Sequence, residues 1–129
     1  NRSPVWRGGA IVFGPQPRDY SFKVNKKVRK LALCMALSSR LAGDKLLVVN
    51  DIALPEAKTK LFAKVAGALG LEKALIIAPE ETRELALSSR NIPGITLTTP
   101  DQLSVYEILR HKQLVLLEGA VQHVETRLK

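Results

Sequence analysis

Between residues 46 and 118 the chain repeats one pattern: a short continuous apolar run, then a longer amphipathic one. The apolar runs are LLVVND (46–51), ALIIAP (74–79), ITLTTP (95–100) and QLVLLE (113–118). They are too short for buried helices, and they lack the strict polar alternation of a strand with one face in water. They read as strands covered on both faces. The intervening stretches KTKLFAKVAGALG (58–70), EETRELALSSRN (80–91) and SVYEILRH (104–111) read as helices, and GAVQHVETRLK as a final one. A strand that returns to its sheet through a helix returns parallel. The expected fold class is therefore α/β: a three-layer, mostly parallel open sheet of about four strands, with helices on both faces and Rossmann-like topology. Leu47, Val49, Ile76, Leu97 and Val115 are expected among the buried residues.

Local signals place the helix ends. Leu61, Phe62, Val65, Ala66 and Leu69 form the inward stripe of the 58–70 helix, and Gly70 stops it. Ser104 and Glu107 have the spacing of a capping box. An earlier helix starts after Asn25, a suitable N-cap, and runs to about Leu41. Val28, Leu31, Ala32, Met35 and Ser39 share one stripe on it, and Gly43 closes it. Before it, Pro15 and Pro17 forbid helix. The division expected is a basic extended segment over 1–24 and one globular α/β domain over 25–129.

Charge is segregated along the chain. The first thirty residues hold eight basic side chains and one acid, Asp19, whereas residues 31–129 hold twelve basic and eleven acidic ones. The segment is thus +7 and the remainder +1, out of a formal total of +8. Segregation on this scale points to one basic surface meeting an anionic partner, of which nucleic-acid phosphate is the commonest. The aromatics Trp6, Tyr20 and Phe22 are interleaved with Arg7, Arg18 and Lys23, a mixture suited to stacking on bases and pairing with phosphates. Trp6 serves equally well as a plain hydrophobic anchor. Lys26, Lys27, Arg29 and Lys30 crowd the start of a helix, where the dipole disfavours cations and favours phosphate. Gly8 and Gly9 beside Arg7 mark a close backbone approach, read as an approach to RNA.

Signals for other chemistry are weak. The sequence carries no GxGxxG after a strand and no Walker-type phosphate loop. A single cysteine, Cys34, excludes an internal disulfide and a cysteine-based zinc site, and it reads as a small core residue. His111 reads as a helix-end partner of the dipole and His123 as exposed. No cofactor or metal is expected. No apolar run approaches the roughly 20 residues needed to span a bilayer, so no membrane partner is expected. The competing reading is a free α/β domain with a small-molecule or enzymatic role at the strand C-terminal ends. Asp51, Thr98 and Thr99 are the polar residues there, and Asp51 reads first as a turn or cap.

The stretch PVWRGGAIVFGPQPRDYSFKVNKKVRKLAL (4–33) closely resembles the signature of the bacterial-type large-subunit ribosomal protein four ("L four") family. Trp6, Arg7, Gly8, Gly9, Phe13, Gly14, Pro15, Pro17, Arg18, Asp19, Tyr20, Lys26, Lys27, Arg29, Ala32 and Leu33 carry the match. KTK (58–60), SRNIP (89–93) and SVYEILRH (104–111) extend it along nearly the whole chain. Ala10 departs from it, standing where the family usually has a third glycine. The resemblance implies a non-enzymatic constituent of the large ribosomal subunit in a bacterium or an organelle of bacterial descent, cytoplasmic in the first case. It implies binding to large-subunit, 23S-type rRNA, neighbouring ribosomal proteins as partners, and support of early subunit assembly. The residues expected on rRNA are Arg2, Trp6, Arg7, Gly8, Gly9, Arg18, Tyr20, Lys23, Lys26, Lys27, Arg29 and Lys30. Some family members bind their own operon's messenger RNA, a further candidate partner. In the family a long loop reaching the peptide exit tunnel lies N-terminal to Trp-Arg-Gly-Gly, as do a first strand and helix. By that resemblance this sequence, opening on Asn1, holds the C-terminal portion, with residues 1–24 as the returning base of the loop.

Overall fold

Strand register decides which side chain meets which layer. In the computed structural model, which describes residues 2–129, nine elements follow one another: α1 (Lys26–Ala42), β1 (Leu46–Val49), α2 (Thr59–Ala68), β2 (Ala74–Ile77), α3 (Arg83–Ser89), β3 (Thr96–Thr98), α4 (Val105–Arg110), β4 (Gln113–Leu117) and α5 (Glu118–Leu128). The strands form one sheet in the order β1-β4-β2-β3, with every pairing parallel. The α/β class, the parallel sheet and the helices on both faces are as the apolar runs dictate.

Three rows of side chains cross the sheet. Leu46, Leu114, Leu75 and Thr96 form the first row, Leu47, Val115, Ile76 and Leu97 the second, and Val48, Leu116, Ile77 and Thr98 the third. Leu46, Leu114 and Leu75 of the first row and Leu116 and Ile77 of the third pack against α1, α4 with the preceding Leu103, and α5, through Leu33, Ala36, Ile108, Ala120 and Val124. The second row packs against α2 and α3, through Phe62, Ala66 and Leu85. Phe62 is wholly buried and anchors that second layer. The helix stripe expected for 58–70 holds, with Phe62 and Ala66 buried and Leu61, Val65 and Leu69 half-buried.

Two expectations about burial need correction. Of the five strand residues, only Ile76 and Val115 are fully buried. Leu47 is 41% exposed, and Val49 and Leu97 are half-buried. The reason is strand order: β1 and β3 are the edges, and a residue there has a sheet neighbour on one side only. The α1 stripe is also displaced. Val28, Leu31 and Met35 are 52%, 60% and 64% exposed, while Leu33 and Ala36 are buried and Leu37 is half-buried. Apolar residues nearly encircle this helix, so periodicity alone cannot choose its inner face. The face turned inward is also held by Arg40, whose Nε and Nη2 donate to the Ile108 main-chain oxygen at 3.0 and 2.8 Å and whose Nη2 also donates to that of Leu109 at 2.9 Å. These bonds satisfy carbonyls at the C-terminal end of α4, which no helical N–H can reach.

The caps are partly as expected. Asn25 occupies the N-cap of α1, but its side chain makes no capping bond and the first turn holds no acid. Ser104 Oγ accepts from the Glu107 N–H at 3.2 Å, which is half of the capping box. Glu107 turns instead toward His111, its Oε2 lying 3.6 Å from Nδ1. His111 is buried. Its Nδ1 donates to the Glu107 main-chain oxygen at 2.8 Å, and its Nε2 lies 2.9 Å from Thr96 Oγ1, tying α4 to β3. Gly70 ends α2 in the left-handed region at φ 64°. Gly43 ends α1 at φ −94°, and the left-handed residue there is Asp44.

Candidate nucleic-acid interface

Residues 2–24 contain neither helix nor strand. The segment has too few apolar residues in any periodic order to bury a face, and its prolines break both ladders. What order it has is made locally. The Trp6 N–H donates to the Ser3 oxygen at 3.0 Å, Gly9 N–H to the Trp6 oxygen at 2.9 Å, and Ala10 N–H to the Arg2 oxygen at 3.0 Å. The loop folds so tightly that a Cβ on Gly9 would lie 1.9 Å from the Ser3 carbonyl oxygen. The close approach expected at Gly9 is therefore an approach to the chain itself, and the reading of Gly9 as room left for RNA loses its reason. Gly8, at φ 77°, has open space around the position of a Cβ and needs glycine for its backbone conformation. Around this loop Arg2, Trp6 and Arg7 face solvent.

A second local turn follows. Asp19 Oδ1 accepts from the Ser21 N–H at 2.8 Å and Oδ2 accepts from Ser21 Oγ at 2.7 Å. The main-chain bond first, and the hydroxyl second, hold the Asp19 carboxyl below its ordinary range. The turn sets the Arg18 guanidinium over the Tyr20 ring, 4.4 Å from its centroid. Cation and ring are presented side by side, offering a nucleic acid a charge and a stacking surface together. Tyr20 and Phe22 are 75% and 84% exposed.

The helix α1 continues the basic surface. Lys26, Lys27, Arg29 and Lys30 are all exposed. The first main-chain bond of this helix is from the Arg29 N–H to the Asn25 oxygen at 3.1 Å. The N–H groups before it point out of an uncapped, cation-rich helix end. Among the described residues, none of Arg2, Arg7, Arg18, Lys23, Lys26, Lys27, Arg29 and Lys30 forms an ion pair with a carboxylate. The site residues thus divide into three groups: a loop with Arg2, Trp6 and Arg7, a turn with Arg18 and Tyr20, and a helix end with Lys26, Lys27, Arg29 and Lys30. Lys23 lies between the last two.

Sequence reasoning missed Arg127. It stands in the last turn of α5 and shares a cleft with Lys26, Arg29 and Lys30. No local signal in TRLK marks it, because the neighbours that matter come from the other end of the chain.

The competing site is also present. A cleft at the C-terminal ends of the strands is lined by Asp51, Glu80, Thr82, Glu84 and His123 among others. Asp51 Oδ1 accepts from the Ile52 N–H at 2.7 Å, as a turn residue does. Thr98 and Thr99 are not part of the lining, and Thr98 Oγ1 donates to the Thr99 oxygen at 3.4 Å. The rim is acidic, which disfavours the phosphates of nucleotide cofactors that this position commonly binds. Among the described residues no group of three or more His, Cys, Asp or Glu side chains could hold a metal ion, and no helix is long and apolar enough to cross a membrane.

The model of the family described as "Ribosomal protein L4/L1 family" matches residues 1–127. The chain is 78% identical over 128 residues to the large ribosomal subunit protein uL4 of Nitratidesulfovibrio vulgaris strain DP4, covering 99% of this chain and 62% of that protein. It is 69% identical over 129 residues to the uL4 of Lawsonia intracellularis, covering 100% and 63%. It is 54% identical over 127 residues to that of Solidesulfovibrio magneticus, covering 98% and 60%. The chain therefore spans a little over three-fifths of the length of these curated relatives.

Proposed function

The chain belongs to the ribosomal protein L4/L1 family, and from that premise we propose that it is a structural constituent of the large ribosomal subunit, holding large-subunit rRNA against its basic N-terminal surface. The observation that carries this reading is the unneutralised charge of residues 2–30: eight exposed cations with no carboxylate partner among the described residues. A folded domain gains nothing from such an arrangement. A surface that meets phosphate gains counterion release from every cation. The loop 2–10, the Arg18–Tyr20 unit and the α1 N-terminal turn supply, in order, guanidinium charge, a stacking face and free N–H groups. The RNA-binding residues proposed are Arg2, Trp6, Arg7, Gly8, Arg18, Tyr20, Lys23, Lys26, Lys27, Arg29 and Lys30. Gly8 acts by shaping the loop that presents Arg7.

The reading assigns no catalysis. The sheet and its helices are the anchor, and the basic segment is the contact. Neighbouring large-subunit proteins are the protein partners on this reading, within a bacterial cytoplasmic ribosome. Support of early subunit assembly follows if the contact forms before the RNA around it is closed.

The test is RNA binding across a salt series with the chain and three single variants. Arg7→Ala, Arg18→Ala and Lys27→Ala should each weaken binding to a large-subunit rRNA transcript. Each should reduce the log–log salt slope by about 0.7–0.9, with the melting temperature almost unmoved. Slopes unchanged in all three variants would remove the basic segment from the interface.

A further inference from the structure

The cleft shared by α1 and α5 is lined by four cations and two leucines. Lys26, Arg29 and Lys30 come from the first turns of α1, Arg127 comes from the last turn of α5, and Leu33 and Leu128 complete the lining. Among the described residues none of the four cations has an ion-pair partner. Arg127 is nevertheless held in place. Its Nη1 donates to the main-chain oxygens of Pro100 and Leu103, the latter at 3.1 Å. These acceptors are neutral, so they fix the guanidinium without cancelling its charge.

The consequence lies in which donors remain. A guanidinium has five N–H groups, and Nη1 carries two of them. With Nη1 engaged by two carbonyls, the Nε and Nη2 edge is left. That edge has the two parallel donors that pair bidentately with a phosphate or carboxylate. A plain structural brace accounts for the Nη1 contacts. It does not account for three further unpaired cations gathered at the same cleft, where each raises the electrostatic cost of the others.

We propose that this cleft is a phosphodiester-binding site, in which Arg127 joins Lys26, Arg29 and Lys30 in gripping an RNA backbone. This rests on the reading of the protein as an rRNA binder and extends it: the interface is not confined to the first thirty residues but is closed from the far end of the chain by α5. Phosphodiester is favoured over carboxylate because three of the cleft's four cations belong to the +7 N-terminal stretch, whose repeated cations suit a chain of phosphates. Its exposed lysines act through counterion release, which a polyphosphate chain supplies.

The experiment uses the 129-residue chain, an in vitro transcript of large-subunit rRNA and a salt series. Arg127→Gln should lower the log–log slope by about 0.7–0.9, and Arg127→Lys, which keeps the charge and loses the fork, should keep the slope while weakening binding at every salt concentration. A brace without an RNA contact would lower the melting temperature and leave the slope intact, and that result overturns the proposal. Because Arg127→Gln also unties the 100–103 loop, a second measurement uses the unsubstituted chain. The Arg127 Nε–H resonance, followed by NMR in the unsubstituted chain, should shift as the transcript is added. A resonance that does not move overturns the site. A shift with polyglutamate and not with the transcript also overturns it. If the Arg7 and Arg18 variants lose slope and Arg127→Gln does not, only this inference fails. If the unsubstituted chain does not bind the transcript at all, the proposed function fails and takes the inference with it.

Discussion

The segment 2–24 and the four-stranded sheet use similar side chains to opposite ends. Both contain valine and isoleucine. In the two central strands of the sheet, β4 and β2, apolar residues vanish from solvent: Leu75, Ile76, Ile77 and Val115 are each at 0% exposure. In the segment, Val5, Ile11, Phe13 and Phe22 are exposed at 91%, 83%, 95% and 84%. Main-chain groups show the same division. The strands bond one another in unbroken parallel ladders, whereas the segment closes two small local turns. The sheet is therefore the part whose sequence answers to its own stability. The segment keeps its apolar and cationic groups where only something outside the chain can use them.

The largest test of this division is a pair of truncations of one residue type. Phe62→Ala removes a wholly buried ring from between α2 and the sheet and should destabilise the fold by about 3–5 kcal/mol. Phe13→Ala removes an almost wholly exposed ring and should change stability by less than about 0.5 kcal/mol. Denaturant midpoints of the two variants against the parent measure both. Similar losses from the two would mean that the segment packs on the domain in solution, and the division would collapse.

The sequence made one side of the comparison readable and only part of the other. Parallel strands followed from apolar runs too short for helices and too continuous for half-solvated strands. Chain-local signals found Gly70 and the Ser104 cap, because both act within one turn. Burial at the sheet edge was not legible, since the exposure of Leu47 depends on β4 inserting between β1 and β2, a fact of tertiary order. The inner face of α1 was not legible either. Leu31 and Met35 share one face and Leu33 and Leu37 the opposite one, both apolar, and the second is the face turned inward, with Arg40 reaching the end of α4. On the candidate interface, segregated charge located the surface in the first thirty residues. It could not reveal Arg127, whose place beside Lys26, Arg29 and Lys30 depends on two helix ends meeting, nor that Gly9 makes room for Ser3.

A smaller effect sits at the junction of the two regions, the first turn of α1. Lys26 and Lys27 stand at the positive end of the helix dipole, with no acid in the first turn and no side-chain cap. Replacing both by Glu should stabilise the free helix by a few tenths of a kcal/mol per charge, roughly 0.3–1 kcal/mol at most for each. The same change should abolish binding to the rRNA transcript, because it places carboxylates against phosphate. Hydrogen exchange of the Arg29 amide, the first bonded in the helix, reads the first effect and filter binding the second. Opposite signs sharpen the division between stability and contact. Normal RNA binding by the double variant would assign this helix end to solvent.

The smallest effect belongs to Asp19 and asks whether the segment has local order before any partner arrives. Its carboxylate accepts from the N–H and the hydroxyl of Ser21, and these bonds lower its pKa below the ordinary aspartate value. A group whose folded pKa is depressed contributes stability that is present above its unfolded pKa and is lost as pH falls through its folded one. The Asp19–Ser21 turn should therefore be closed throughout the neutral and mildly acidic range, and should open only below the ordinary carboxylate range. Asp19 is fully exposed, so the effect stays local and the global unfolding midpoint should not follow it. The measurement is the Ser21 amide shift against pH by NMR. Its midpoint should lie below that of the same residues in a short unstructured peptide, and Asp19→Asn should abolish the response. The Tyr20 ring resonances should move with the same midpoint, because the turn that Asp19 holds is the one that sets Arg18 over that ring. A midpoint equal to the peptide's would mean that the turn forms only when a partner holds it, and the stacking unit would then be a product of binding instead of a preformed platform for it.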